Sequence, residues 1–309
     1  VAIPHILSHV VEQPWALRPV TLALMRAILV RKHFGAKLAP DEIAAAIEPR
    51  TVRAAERFYD PETDEFYAPR WDSEGDFIGY RSETSGQAMR PKATVVTILG
   101  VLGLISQRAA QVDDISGPGG TSIERLTARF RAALADQSVK AIVLDVDSPG
   151  GGVYGVEELA DEIRAARGQK PVVAVSNSLA ASAAYWLATA ADEVIVTPSG
   201  EVGSVGVYAA HEDLSGMLER EGVKVTLVHA GKFKVEGNPF EPLSDEARGA
   251  IQARVDDYYS AFTRAVAKSR GVAPEAVRKG FGQGRVVGAK DAIAQGMADR
   301  EDTLDNTVR

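Results

Sequence analysis

The sequence predicts an α/β layered fold with largely parallel strand pairing, and three observations predict it. Short runs rich in Val and Ile recur at 93–99, 141–146, 171–175, 193–196 and 223–228. Segments with helical spacing of apolar residues lie between them, at 121–134, 153–166, 180–191 and 214–221. The chain has 309 residues and is 45% apolar, enough to bury a core in one large domain or two modest ones. Buried strands alternating with amphipathic helices are the pattern of parallel sheets covered by helices.

Taken in order, residues 1–60 read as a smaller, mostly helical N-terminal segment. The stretch 20–30 is apolar apart from Arg26, and Pro40, Asp41 and Glu42 put proline and acids where a helix begins. Residues 61–92 are polar and weakly periodic and read as an irregular linker. Within it Glu65-Phe66-Tyr67 and Phe77-Ile78-Gly79-Tyr80 can form a short hairpin. The main domain spans 93–305 and a tail 306–309 closes the chain. In that domain, 106–120 is a polar loop rich in glycine towards its end. The segment 245–270 is one long helix with Ala247, Ile251, Val255, Tyr258, Phe262 and Val266 on one stripe.

Composition narrows the chemistry. There is no cysteine, so disulfides, thiolate metal sites and a thiol nucleophile are excluded. The formal charge is −7, from 35 Lys plus Arg against 42 Asp plus Glu, which argues against binding nucleic acid through its phosphates. No apolar run is long and uncharged enough to span a bilayer, and no secretory signal opens the chain. The expectation is a soluble, cytoplasmic protein. The five histidines show no metal spacing, and no cofactor is expected.

Three segments can carry chemistry. Asp147-Ser148-Pro149-Gly150-Gly151-Gly152 follows a buried strand. Proline ends a strand there and the glycines turn the chain, either as a plain strand-to-helix turn or as a nest of N–H groups for an oxyanion. Lys-Ser or Lys-Thr at phosphate-loop spacing is missing. Ser178-Leu179-Ala180-Ala181-Ser182-Ala183-Ala184-Tyr185 opens a small-residue helix, with Ser178 as its cap and Ser182 presenting an exposed hydroxyl at the positive end of the helix. His229-Ala230-Gly231-Lys232-Phe233-Lys234 follows a strand, where burial could keep a lysine amine neutral and able to act as a base. The residue pattern does not choose between Lys232 and Lys234. A Ser–His–Asp triad through His211 or His229 is the other arrangement open to Ser182.

Together these segments resemble the signal peptide peptidase A family, the S49 serine peptidases, over residues 93–305. The matching landmarks also include Gly203-Ser204-Val205-Gly206-Val207, Gly284-Arg285-Val286-Val287-Gly288 and Gly296-Met297-Ala298-Asp299. The resemblance implies a ClpP/crotonase-like fold with repeated ββα units. It places the nucleophile at Ser182, the general base at Lys234, the oxyanion donors at the N–H groups of Gly151 and Ala183, and a supporting hydroxyl at Ser204. Ala183 and Ala184 stand where the family often has two glycines, which narrows the pocket. Gln13-Pro14-Trp15-Ala16-Leu17-Arg18-Pro19 and the run from Gly231 through Lys234-Val235-Glu236-Gly237-Asn238-Pro239 resemble phage head proteins of the minor capsid protein C type. That implies a prohead protease, acting on scaffold, portal or capsid proteins in the host cytoplasm or the assembling prohead. A C-terminal scaffold segment of the kind often found there is expected to be missing or encoded elsewhere. Protein or peptide substrates and a homo-oligomer are implied, with no nucleic acid and no membrane span. Three rivals stand beside this reading: a soluble signal-peptide-peptidase-like protease, an inert assembly scaffold of the same fold, and a crotonase-type acyl-CoA enzyme.

Overall fold

Parallel pairing of long apolar strands builds the centre of the molecule. The computed structural model describes residues 15–17, 57–71, 77–88, 94–108 and 120–309. β1 is Trp15–Leu17, β2 Arg57–Asp60, β3 Glu65–Trp71, β4 Phe77–Ser82, β5 Val95–Ser106, β6 Thr121–Ser122 and β7 Val139–Gly152. α1 (Ile123–Ala135) precedes β7, α2 (Val156–Ala165) follows it, and then come β8 (Val172–Ala181) and α3 (Ala183–Thr189). The rest comprises β9 (Glu193–Val196), β10 (Glu201–Gly203), α4 (Ser215–Arg220), α5 (Asp245–Arg270), α6 (Pro274–Lys279), β11 (Val286–Gly288), α7 (Ala289–Ala294), β12 (Arg300–Glu301) and α8 (Leu304–Val308). The described strands join in one mixed sheet, with a main path β11-β10-β8-β7-β5-β2-β3-β4. The pairs β5–β7, β7–β8, β8–β9 and β8–β10 are parallel, and β2–β5, β2–β3, β3–β4 and β10–β11 antiparallel. The α/β class is as the sequence predicts.

Several boundaries differ from expectation for physical reasons. The segment read as an irregular linker is an antiparallel meander, β2 to β4, hydrogen-bonded onto β5. Its aromatic residues hold it there: Phe58 meets Tyr80 edge to face at 4.7 Å, and Tyr59 lies 5.2 Å from Phe66. The expected hairpin of 65–67 with 77–80 is part of it. β7 does not stop at Pro149 but runs on to Gly152, because Leu104 and Ile105 of β5 continue to pair with Gly150 and Gly151. The helical reading of 1–60 falls largely outside the described residues; where described, 15–17 and 57–60 are strands. Most of the loop at 106–120 also lies outside them. The run 223–228 forms no strand and is exposed.

The short helix α3 is buried along its whole length and is gripped from three sides. Arg167 donates to the carbonyls of Thr189, Ala190 and Ala191 at 2.8, 3.0 and 2.6 Å, closing the C-terminal end. Trp186 stacks on Phe262 of α5 at 4.7 Å. The Tyr185 hydroxyl donates to the Met297 carbonyl at 2.9 Å, and burial pushes the phenol's pKa up. α5 itself begins at Ser244, whose side chain accepts from the Ala247 N–H, and ends at Gly271 in the left-handed region. Among the described residues no helix is long and apolar enough to cross a membrane.

Arg270, in the last turn of α5, locks the segment that receives Tyr185. It donates to Asp299 through both terminal nitrogens, at 2.8 and 2.7 Å, and to the Gly296 carbonyl at 2.8 Å. Burial opposes ionisation of Asp299, but the Arg270 hydrogen bonds, the Val194 N–H and the Arg270 charge outweigh it and hold the carboxyl below its ordinary value. The contribution of this pair to stability is therefore complete above about pH 4 and lost as the pH falls through that range. The Arg270 side chain is 11% exposed and that of Asp299 38%, so solvent discounts the pair. Arg270→Ala should cost about 1–2 kcal/mol at neutral pH. Thermal unfolding against pH should show the gap to wild type narrowing as the pH falls below about 4; a gap independent of pH would assign the loss to packing alone.

Candidate active site

The parallel strands bring two of the sequence motifs side by side. Ser148 of β7 is opposite Ala180 of β8, and Ala181 of β8 is opposite Gly203 of β10. Ser182 follows β8 directly, so it stands between the β7 glycines and the β10 turn. Ser178 does not cap the helix as expected. It lies within β8 and donates to Asp147, while Ser182 is itself the residue at the helix N-terminus.

The Ser182 backbone has φ 57° and ψ −118°, a region that a residue with a Cβ rarely adopts. Main-chain bonds enforce it. The Ser182 N–H donates to Gly203 O at 2.7 Å, and the Ser182 carbonyl accepts from the Trp186 N–H at 2.9 Å. The sharp strand-to-helix turn leaves the Ser182 side chain outside both ladders, and its Oγ is 3.5 Å from the Gly206 carbonyl, the outer limit of a hydrogen bond. The expected exposed hydroxyl is not observed: Ser182 is 1% exposed. Ala183 opens α3, so its N–H belongs to the first turn and has no acceptor within the helix.

Gly151 cannot carry a side chain. A Cβ there would lie 1.9 Å from the Ile105 carbonyl oxygen of the adjacent strand. Gly150 has φ 98°, and its N–H reaches Ser148 Oγ at 3.1 Å. Gly203 is constrained in the same way, at φ 121° with a virtual Cβ 2.7 Å from Arg285 O. Ser204 follows with φ 55° and donates its N–H to Arg285 O at 2.8 Å. The Gly284–Gly288 landmark thus buttresses the turn beside Ser182 through β11.

The two lysines part company here. Lys232 Nζ lies 2.8 Å from Glu246 Oε1 and 4.4 Å from the centre of the Phe233 ring. Lys234 makes no recorded hydrogen bond or ion pair among the described residues, and its backbone N–H closes a turn onto Gly231 O at 3.2 Å. Both lysines are exposed, and no strand precedes them, against expectation. Among the described residues nothing supplies the burial that a lysine base needs. The histidines of the alternative triad are engaged elsewhere: His211 with the Asn238 carbonyl at 3.0 Å and His229 with that of Gly231 at 3.1 Å. Sequence reasoning missed the strained Ser182 backbone and the role of Arg285. The glycine at 203 was the available signal for both.

The Ile105 contact makes Gly151→Ala a sharp test of the cleft wall. The added methyl should force β7 from β5, lowering stability by about 2 kcal/mol or more. Unchanged melting would mean that β7 and β5 do not approach this closely.

With this geometry in place, similarity to known proteins becomes specific. The model of peptidase family S49 matches residues 164–309. Capsid assembly protease C of Escherichia phage lambda is 35% identical over 225 residues, which cover 73% of this chain and 49% of that protein. Head-tail preconnector protein GP5 of Enterobacteria phage P21 is 36% identical over 66% of this chain and 40% of its own length. Protease 4 of Salmonella typhi is 32% identical over 68% of this chain and 34% of its own length. The chain thus spans about half or less of the length of these relatives. A solved structure of a ClpP1 mutant from Listeria monocytogenes superposes with a TM-score of 0.42 at 14% identity, covering 69% of this chain and 94% of that one. By these sequence matches the chain is similar to peptidase family S49 over residues 164–309 and to a phage capsid assembly protease over 73% of its length.

Proposed function

We propose that the chain is a serine endopeptidase using a Ser182–Lys234 dyad, and that it cleaves capsid- or scaffold-associated proteins during phage head assembly. The observation that carries the reading is the strained Ser182 at a buried strand-to-helix turn beside a glycine strand end, within the residues that match family S49. The assembly context is supported by the phage capsid assembly protease and preconnector among its relatives.

The neutral Lys234 amine takes the proton from Ser182 Oγ, which attacks the scissile carbonyl carbon. Charge on the carbonyl oxygen is met by the N–H groups of Gly151 and Ala183, the latter at the positive end of α3. Collapse breaks the C–N bond as the Lys234 ammonium returns its proton to the leaving amine. Water, deprotonated by Lys234, then hydrolyses the acyl ester and restores Ser182. Ser204 steadies the lysine amine. Lys232 is assigned no part, since it is paired with Glu246.

This mechanism requires Lys234 to be desolvated. Val223, Val225, Leu227, Val228, Phe233 and Phe240 are exposed around the same stretch, Val228 by 94%. Such a run is seldom left to water. A second copy of the chain laid over it would bury the apolar run and the lysine together, so the active form is a homo-oligomer.

Ser182→Ala and Lys234→Ala should each reduce cleavage of a peptide or casein substrate by a factor on the order of 10^4. Lys232→Ala should stay within a few-fold of wild type. Undiminished cleavage by Ser182→Ala would end the serine mechanism, and a silent Lys232→Ala beside an active Lys234→Ala would exchange the lysines. Val228→Glu should shift the chain towards monomer in light scattering and lower activity in parallel. Wild type that is monomeric at concentrations where it cleaves would overturn the assembly requirement.

A further inference from the structure

β1 occupies the edge of β7 that faces Ser182. Trp15, Ala16 and Leu17 pair antiparallel with Gly152, Gly151 and Gly150. Those same glycines are paired on their other edge by β5, with Leu104 opposite Gly150 and Ile105 opposite Gly151. A strand has two edges, so β1 is on the remaining one. That is the edge on which β8 pairs further back, up to Ser148 opposite Ala180, before the chain leaves β8 for Ser182. The sequence limits this pairing to the residues between Pro14 and Pro19, neither of which has an N–H to give to a ladder. Ser182 is also 1% exposed, so a group above it must move before a peptide carbonyl reaches its Oγ.

We propose that residues 15–17 are a resident strand in the substrate cleft, holding in cis the β7 edge along which an extended peptide must add. The inference rests on the assignment of Ser182 as nucleophile. Peptide recognition by strand addition draws its affinity from main-chain hydrogen bonds to a free edge. Here the edge is filled by the chain itself, and incoming peptide competes with residues 15–17. Competition of this kind leaves the chemical step alone and reduces apparent affinity by the fraction of molecules in which the edge is open. Residues 15–17 therefore set how readily the cleft admits substrate, and any partner that draws them away raises affinity for substrate.

The test compares wild type with Ala16→Pro in the full chain, with Leu17→Pro as a second variant and melting temperature as the check of folding. Proline removes an N–H from β1 without touching Ser182, Lys234 or the glycines. The expected result is a KM for an extended peptide substrate lowered several-fold to about tenfold, with kcat nearly unchanged. A synthetic peptide of residues 11–20, added in trans, should inhibit Ala16→Pro competitively and at lower concentration than it inhibits wild type. Equal KM values in wild type and both folded variants overturn the proposal and leave the nucleophile standing. Loss of activity in folded Ala16→Pro also overturns it, because β1 would then be building the site. If an acylating probe fails to label Ser182 in wild type and variants alike, the nucleophile assignment fails and the proposal falls with it.

Discussion

The 2.7 Å hydrogen bond from the Ser182 N–H to the Gly203 carbonyl fixes the point at which a strand becomes a helix. Without it, a residue with a side chain would not stay at φ 57°, a conformation of order 1–3 kcal/mol above relaxed backbone. The acceptor is itself held. Gly203 sits against Arg285 O, and Ser204 donates to that same carbonyl. The C-terminal β11 therefore supports the turn from behind, although it is some eighty residues away in sequence. From this one junction follow the position of the serine hydroxyl, the direction of the α3 dipole and the spacing to the β7 glycines.

The grip on α3 makes the junction rigid rather than merely allowed. A helix of this length has little stability alone. It is kept by the Arg167 fork at its C-terminal end, the Trp186–Phe262 stack and the Tyr185 bond to Met297. Arg270 and Asp299 fix the Met297 segment in turn. Groups that line no cleft thus set the tolerance with which Ser182 is held.

Much of this was legible in the sequence, and the misses share a cause. The β-branched runs at 141–146 and 171–175 announced the parallel core because burial on both faces leaves little other choice of residue. Motif order pointed to Ser182 and Gly151, and the structure adds the strained backbone of the one and the close approach of Ile105 to the other. The helix start was misplaced because Ala180 and Ala181 favour helix locally, while pairing with Val202 and Gly203 draws them into β8. Conversely, 223–228 has strand composition but pairs with no strand among the described residues. Of the β2 to β4 meander only the β3–β4 hairpin was marked in the sequence, by its aromatic residues; its pairing through β2 onto β5 was not. In each case a distant partner decided between two locally acceptable states.

The two halves of the proposed dyad stand in opposite surroundings, and that contrast organises the molecule. Ser182 lies in a rigid, close-packed wall with the β7 edge in front of it taken by residues 15–17. Lys234 lies on an exposed stretch of bare apolar side chains, with no ion pair to hold it among the described residues. An amine in water is a poor base near neutrality, and an edge already paired is a poor receptor for peptide. The isolated chain is on this account doubly restrained: once by the solvent around its base, and once by its own strand in its cleft. Covering the first and emptying the second are separate events on separate surfaces.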